Sequence, residues 1–323
     1  MDKRDLLNLP KIENIQELNI LLLFSDKQLD KFVLFKDKQY VSFKIPKKNS
    51  NKKRVINAPK KYLKLAQRII LREILDKVPC SNVATAFVKK QNGLLKNALV
   101  HKNSLFLLKL DFCDFFQSIK FQKVKNIFID LGYNDKVSDR LAELCTFCRE
   151  LPQGGICSPS LSNLACLELD NDLKQYCDER NIRYTRYADD LIFSSNEESA
   201  LKLLLQDSNQ IIKKHNSPIF DISINNKKTK FIKEPWHKKV VGITINNSII
   251  KVSKKLKHDI RQELFFTLVK DKKDYNKLIG QIAFVLSIEK DYGNYIKKYA
   301  NYVCKKNNIS DHPIISTLNK MIK

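Results

Sequence analysis

With 323 residues, 43% of them hydrophobic, the chain can bury one large core or two to three smaller ones, which excludes a disordered chain. Lys and Arg number 59 against 35 Asp and Glu, and the net charge of +24 implies a polyanionic partner, nucleic acid in preference to an anionic membrane. No uninterrupted apolar run of about 18 residues occurs and the N-terminus lacks a secretory pattern, so the expectation is a cytoplasmic protein with no membrane partner.

Residues 11–36 carry helical spacing at Ile12, Ile15, Leu18, Leu22 and Leu29. QYVSFKIP and RVINAP read as the two strands of a hairpin, joined by the basic turn KKNSNKKR. A helix over 60–78 follows, with Tyr62, Leu65, Ile69, Ile70 and Ile74 as its expected buried stripe. NVATAFVKKQ reads as strand and loop, and LLKNALVHKN as a short helix. SLFLLKLDF is a buried strand ending in Asp111. Two helices come next, FQKVKNIFIDLGYN and VSDRLAELCTFC.

In LPQGGICSPSLSNLACLELDNDLKQYC a loop feeds a helix, with Ser158 suited to the N-cap and Pro159 to the first helical position. NIRYTRYADDLIFSS is a hairpin with Asp189 and Asp190 at its tip. A helix over SALKLLLQDSNQIIKKHN precedes the strand and turn of PIFDISINNKKTKFI. KKVVGITINNSIIKVS (238–253) reads as a further hairpin, and helices dominate from residue 254. The eight cysteines show no disulfide framework, and Cys145 and Cys148 suit packing at i, i+3 on one helix better than a zinc site.

Carboxylates at strand ends project from a sheet edge, and Asp111, Asp114, Asp189 and Asp190 are the candidates for such an edge. Two unit charges about 4 Å apart repel by about 4 kcal/mol at an effective dielectric of 20, so such a cluster titrates or takes a cation. Mg2+ accepts hard oxygen ligands and keeps waters, and two such ions suit phosphoryl transfer.

The order DFCDFF, PQGGICSP, YADD, NKKT, VVG resembles that of a reverse transcriptase. The resemblance runs from about residue 12 to 305. It implies an α+β, right-hand polymerase fold: N-terminal helices and fingers (1–103), a palm of antiparallel sheet and helices (104–235), a primer-grip hairpin (236–253) and a helical, RNA-binding thumb (254–323). It also implies two Mg2+ ions, with Mn2+ as an alternative, on Asp111, Asp189 and Asp190. Lys228, or its neighbour Lys227, would protonate the leaving pyrophosphate. Arg54, Lys60 and Lys89 would hold the triphosphate of an incoming dNTP, Phe116 would exclude a 2′-OH, and Gln153 and Gly154 would lie near the nascent pair.

KNALVH, with Asn97, Ala98 and His101, looks like an element of the retron branch. KKVVGITIN resembles that branch's Val-Thr-Gly triplet, keeping Val240 and Gly242 but placing Val241 at the threonine. LIGQIAFVLSI with its following basic helix is similar to a retron thumb. The retron resemblance implies RNA contacts at Asn97, His101, Val240 and Gly242. It implies a cognate structured noncoding RNA copied into branched DNA from an RNA 2′-OH, an RNA–DNA product, an effector protein and a role in defence against phage. The rival expectations are a group II intron-like or other bacterial reverse transcriptase and a catalytically silent RNA-binding scaffold.

Overall fold

The computed structural model describes residues 2–46, 53–233, 238–246 and 248–322. The chain divides into two compact units, one of Met1–Gln91 with Leu108–Phe231 and the other of Asn92–Leu107 with Ile232–Lys323. Residues 92–103, expected with the N-terminal region, therefore group with the C-terminal unit. No helix among the described residues is long and apolar enough to cross a membrane.

A single turn, α1 (Lys3–Leu6), opens the chain. The expected helix over 11–36 is two helices, α2 (Ile15–Leu22) and α3 (Asp26–Leu34). Leu23 divides them by taking the left-handed conformation (φ 62), and its N–H closes on the carbonyls of Asn19 and Ile20. Glycine usually fills that capping position, so the sequence carried no stop signal there. The expected first hairpin forms from β1 (Tyr40–Pro46) and β2 (Lys53–Pro59), paired antiparallel. Most of its basic tip, 47–52, lies outside the described residues.

Helix α4 (Lys61–Glu73) buries Leu63, Ala66, Gln67, Ile69 and Ile70. Tyr62 and Leu65 are 59% and 45% exposed, which corrects the expected stripe. Gln67, a polar residue, sits fully buried within that face. Its Nε2 donates to the Tyr40 hydroxyl (2.9 Å) and the Leu144 carbonyl (2.7 Å), and its Oε1 accepts from the Ile156 N–H (2.9 Å). A buried amide this well satisfied avoids the usual desolvation penalty.

NVATAFV forms no strand; its one ladder contact is an isolated parallel bridge between Ala84 and Arg186. Then come α5 (Gly93–His101), β3 (Phe106–Asp111), α6 (Phe121–Asp130) and α7 (Asp135–Cys145). Because α7 ends at Cys145, the exposed Cys148 (φ 49) lies beyond it in a turn, and the two cysteines do not share a helical face. Cys157, not Ser158, occupies the N-cap of α8 (Ser158–Ala165). Ser158 instead donates its hydroxyl to the Pro152 carbonyl at 2.8 Å, folding the preceding loop back on itself.

Helix α9 (Leu167–Asp178) leads to β4 (Arg183–Tyr187), β5 (Asp190–Ser195) and α10 (Glu198–Lys214). A 3-10 turn at Asn226–Lys228 precedes β6 (Lys230–Ile232). Strands β4, β5, β3 and β6 form one four-stranded sheet in that order. Placing β3 beside β5 is what brings the end of β3 to the hairpin tip of β4 and β5.

The second unit adds β7 (Lys238–Val240), β8 (Ile243–Asn246) and β9 (Ile249–Lys251). The expected hairpin over 238–253 is thus a three-stranded antiparallel sheet. Helices α11 (Lys254–Val269), α12 (Asn276–Ile288), α13 (Tyr292–Lys306) and α14 (Pro313–Met321) complete the unit. Ile260, Leu264, Ile282, Val285, Ile296 and Ile314 are fully enclosed in its core. The fold is mixed α+β with antiparallel sheets.

Candidate active site

Strands β4 and β5 are buried on both faces, with Tyr184, Leu191 and Phe193 on one and Thr185 and Ile192 on the other, and their pairing leaves the two-residue tip Ala188-Asp189 between Tyr187 and Asp190. Ala188 takes φ 56, a left-handed value that an L-residue holds only when its surroundings enforce it. The Phe112 N–H donates to the Asp189 carbonyl at 3.0 Å, which ties the tip to the end of β3, one residue from Asp111. On the other side of Asp111, its carbonyl accepts the Asn225 N–H at 2.7 Å, which fixes the turn carrying Lys228.

These ties bring Asp111, Asp189, Asp190 and Lys228 together. Asp111 is 7% exposed, and Lys228 Nζ donates to both of its oxygens, at 2.7 and 2.9 Å. Lys228 is therefore the lysine of the Lys227–Lys228 pair that reaches the site. Burial first, then the charges of Asp189 and Asp111, push the Asp190 carboxyl up to about 6. Burial and Asp111 also raise Asp189, against the pull of Lys228 and Arg54. Burial opposes charge on Lys228, but its hydrogen bond to Asp111 and the negative charges of Asp111, Asp189 and Asp190 together outweigh this and hold its pKa above the ordinary lysine value. Asp114 stands apart, exposed in the turn after β3 with φ 37.

Among the described residues, no three His, Cys, Asp or Glu side chains close into a metal cage. The donor chemistry still fits a hard divalent cation: carboxylate oxygens under mutual repulsion, in a class of site that completes its shell with water and substrate phosphate instead of further side chains.

Arg54 lies on β2 opposite Ile45, near enough for its charge to act on Asp189. Lys60 is the N-cap residue of α4, its N–H donating to the Gln39 carbonyl at 2.7 Å. Lys89 is ion-paired with Asp76 and lines a cavity of about 380 Å³ with Leu75, Phe87 and Asn163, away from the carboxylates. Phe116 is half-buried, its ring 5.5 Å from that of Phe115, which in turn stacks on Phe112 at 5.7 Å.

The Gln153 carbonyl accepts the Asn57 N–H at 2.8 Å. Gly154 (φ 118) presses on the same strand, and a Cβ there would lie 2.8 Å from Ile56 Cγ2 and 2.9 Å from the Asn57 carbonyl. The backbone that this glycine admits is that of β2.

Within the second unit, Asn97, His101 and Val240 are completely buried. That corrects the expectation of direct RNA contact, since enclosed side chains shape a surface without touching a ligand on it. Gly242 is exposed at the β7–β8 turn, with φ 87.

Sequence reasoning missed the group beneath the tip. Arg186 and Asp170 are both fully buried, joined by Nε to Oδ1 at 2.8 Å and Nη2 to Oδ2 at 2.6 Å. The one available signal was an arginine amid the inward-facing aromatics of YTRY.

Comparison with known proteins agrees with this geometry. The family model described as "Reverse transcriptase (RNA-dependent DNA polymerase)" matches residues 45–245. The chain is 30% identical over 306 residues to the retron Ec86 reverse transcriptase of Escherichia coli, covering 93% of this chain and 92% of that protein. It is 32% identical to the retron Ec83 reverse transcriptase of Escherichia coli, over 81% of this chain and 90% of that one. Among solved structures, the telomerase of Candida albicans aligns with a TM-score of 0.49 at 12% identity, over 93% of this chain and 68% of that one. The chain belongs to the reverse transcriptases, enzymes that polymerise DNA on RNA, and among them to the retron reverse transcriptases. That family typically uses divalent metal ions, and its activity implies an RNA template.

Proposed function

We propose that the chain copies a cognate structured noncoding RNA into branched single-stranded DNA, primed from an RNA 2′-OH, within a cytoplasmic system that defends against phage together with an effector protein. The observation that carries this reading is the convergence of Asp111, Asp189, Asp190 and Lys228 at one sheet edge, in a chain whose relatives are retron enzymes. In the language of the polymerase hand, the four-stranded sheet is the palm, the β1–β2 hairpin belongs to the fingers and α11–α14 form the thumb.

Asp111 and Asp189 would hold two Mg2+ ions, or Mn2+, with the dNTP phosphates, and Asp190 would add negative charge beside them. When bound, such ions stabilise the attacking and leaving oxygens of an in-line displacement. Lys228 would give its proton to the departing pyrophosphate, since its ammonium is already held at the site by Asp111. Arg54 and Lys60 would steer the triphosphate. Phe116 would close the space next to the sugar. The basic thumb would hold folded RNA through phosphate, shape and 2′-OH contacts, with affinity falling steeply as salt rises.

The test is primer extension with the purified chain on the structured RNA encoded beside its gene. Mg2+-dependent DNA that stays joined to RNA through a bond cut by a 2′,5′-debranching enzyme is the expected product. DNA joined only through 3′ ends would replace the branched-product reading with ordinary priming. No incorporation on any primed RNA would leave a silent scaffold.

A further inference from the structure

We propose that Arg186 is a positioning residue that holds the Ala188-Asp189 tip in its catalytic shape. The inference rests on the polymerase reading of that tip and concerns how the chain maintains it. Arg186 spends two donors on Asp170, as described above. Its remaining arm, Nη1, donates to the Ala188 carbonyl and to Asn163 Oδ1, each at 3.2 Å. The Tyr184 hydroxyl donates to the same Asp170 at 2.9 Å, and Asn163 Nδ2 reaches the Ala86 carbonyl at 2.9 Å. Two backbone bonds to one segment seat the arginine: its N–H donates to the Val83 carbonyl at 2.9 Å, and its own carbonyl accepts the Thr85 N–H at 2.8 Å.

A second observation makes this more than core cement. Ala188 is a non-glycine residue at φ 56, a conformation that persists only where the surroundings over-determine it. The two carbonyls of the tip are both taken, Ala188's by Arg186 and Asp189's by the Phe112 N–H. Releasing the first would let the peptide between Ala188 and Asp189 rotate and swing the Asp189 carboxylate off its line. A planar fork can serve Asp170, Asn163 and Ala188 at once, whereas an ammonium cannot.

Two variants test it. The apolar triple Arg186→Met, Asp170→Leu, Tyr184→Phe removes both charges and the hydroxyl of the buried set and leaves only the Asn163 amide, so no charge or hydroxyl is stranded. Arg186→Lys keeps a cation against Asp170 and loses the arm on Ala188. Melting temperature, RNA affinity, kcat, KM for dNTP and the rise in melting temperature with added Mg2+ are measured for each.

For folded variants with unchanged RNA affinity and dNTP KM, kcat falls by about 10- to 100-fold, and about tenfold more Mg2+ is needed for the same thermal stabilisation, as for loss of an outer partner of a metal ligand. Adding Ala188→Gly to Arg186→Lys returns part of the lost kcat, because glycine takes φ 56 without strain.

Folded variants with wild-type kcat and Mg2+ titration would overturn the proposal. So would a lowered kcat that glycine does not lessen, alongside an unshifted Mg2+ titration. Should the triple variant fail to fold, Arg186→Lys decides on the same terms. A wild-type chain that incorporates no nucleotide counts against the polymerase reading alone, because the Mg2+ titration of melting reads the tip independently of turnover.

Discussion

Two tight turns in this chain share a length and differ in what holds them. The tip between β4 and β5 is Ala188-Asp189, and the turn between β7 and β8 is Val241-Gly242. The second has positive φ at both residues, 44 and 87, which is the geometry that matches the twist of a hairpin. Its glycine meets that demand locally, and a Cβ built there would touch nothing within 4 Å. The first has no glycine. Ala188 is 8% exposed, and its neighbours' hydrogen bonds set its conformation. One turn is favoured by its own glycine, against the preference of Val241, and the other is held by distant residues. The tertiary solution holds the turn through its carbonyls, by contacts outside it, and asks nothing of the Asp189 carboxylate.

The largest effect expected from breaking this contrast is Asp189→Asn. Nucleotide incorporation falls by well over about 100-fold, beyond the loss from an outer partner of a metal ligand. RNA affinity, read by filter binding, stays at the wild-type value because the tip's backbone bonds are untouched. Equal loss of both would make Asp189 a structural residue.

Next comes a glycine that touches a neighbouring strand. Gly154→Ala destabilises by about 2–3 kcal/mol, from overpacking against Ile56 and Asn57 at φ 118. Chemical denaturation should show this as a lower midpoint with an unchanged slope. Gly242→Ala, at an open position, loses only about 1 kcal/mol.

Val241→Asn works in the opposite direction. A β-branched residue is a poor fit at φ 44, and Asn-Gly is the favoured pair for this turn. Stability rises by up to about 1 kcal/mol, part of the left-handed penalty on an L-residue, and a melting curve would show it.

The smallest effect concerns Lys238, which enters the same turn's hairpin opposite Ile245 and is 3% exposed. Burial lowers its pKa below the ordinary 10.5. Between the folded value and 10.5 the unfolded chain binds more protons, so stability rises with pH across that window and is lost again as pH falls through the folded value. Lys238→Met removes that slope. A slope that survives the substitution would trace to another group.

The Ala188-Asp189 tip was legible because two features coincide there: short apolar-aromatic runs on both sides and turn-prone aspartates between them. Asp111 was legible for the same reason, as the polar end of a buried run. Ladder pairing across the sheet was the missing step that joins them. Local pattern failed where a residue's role depends on a remote partner. Gln67 looks like a solvent-facing break until Tyr40, Leu144 and Ile156 surround it. Leu23 ends a helix in a conformation that its side chain disfavours. Asp170, within LELDNDL, is one acid among several, and only the fold gives it Arg186. Asn97 and His101 match a retron element as residue types, but which way they face is decided by how α5 packs.

The bond from Asn57 to Gln153, with Gly154 wedged against Ile56 and Asn57, leaves no slack between the β1–β2 stem and the loop before α8. Such contacts would make the two one lever arm. A swing of the stem that carries Arg54 toward or away from Asp189 moves Gln153 through the same arc. On the proposed reading, gripping the triphosphate and presenting the glutamine would be a single stroke, and a substitution that loosens the wedge would put the two out of step.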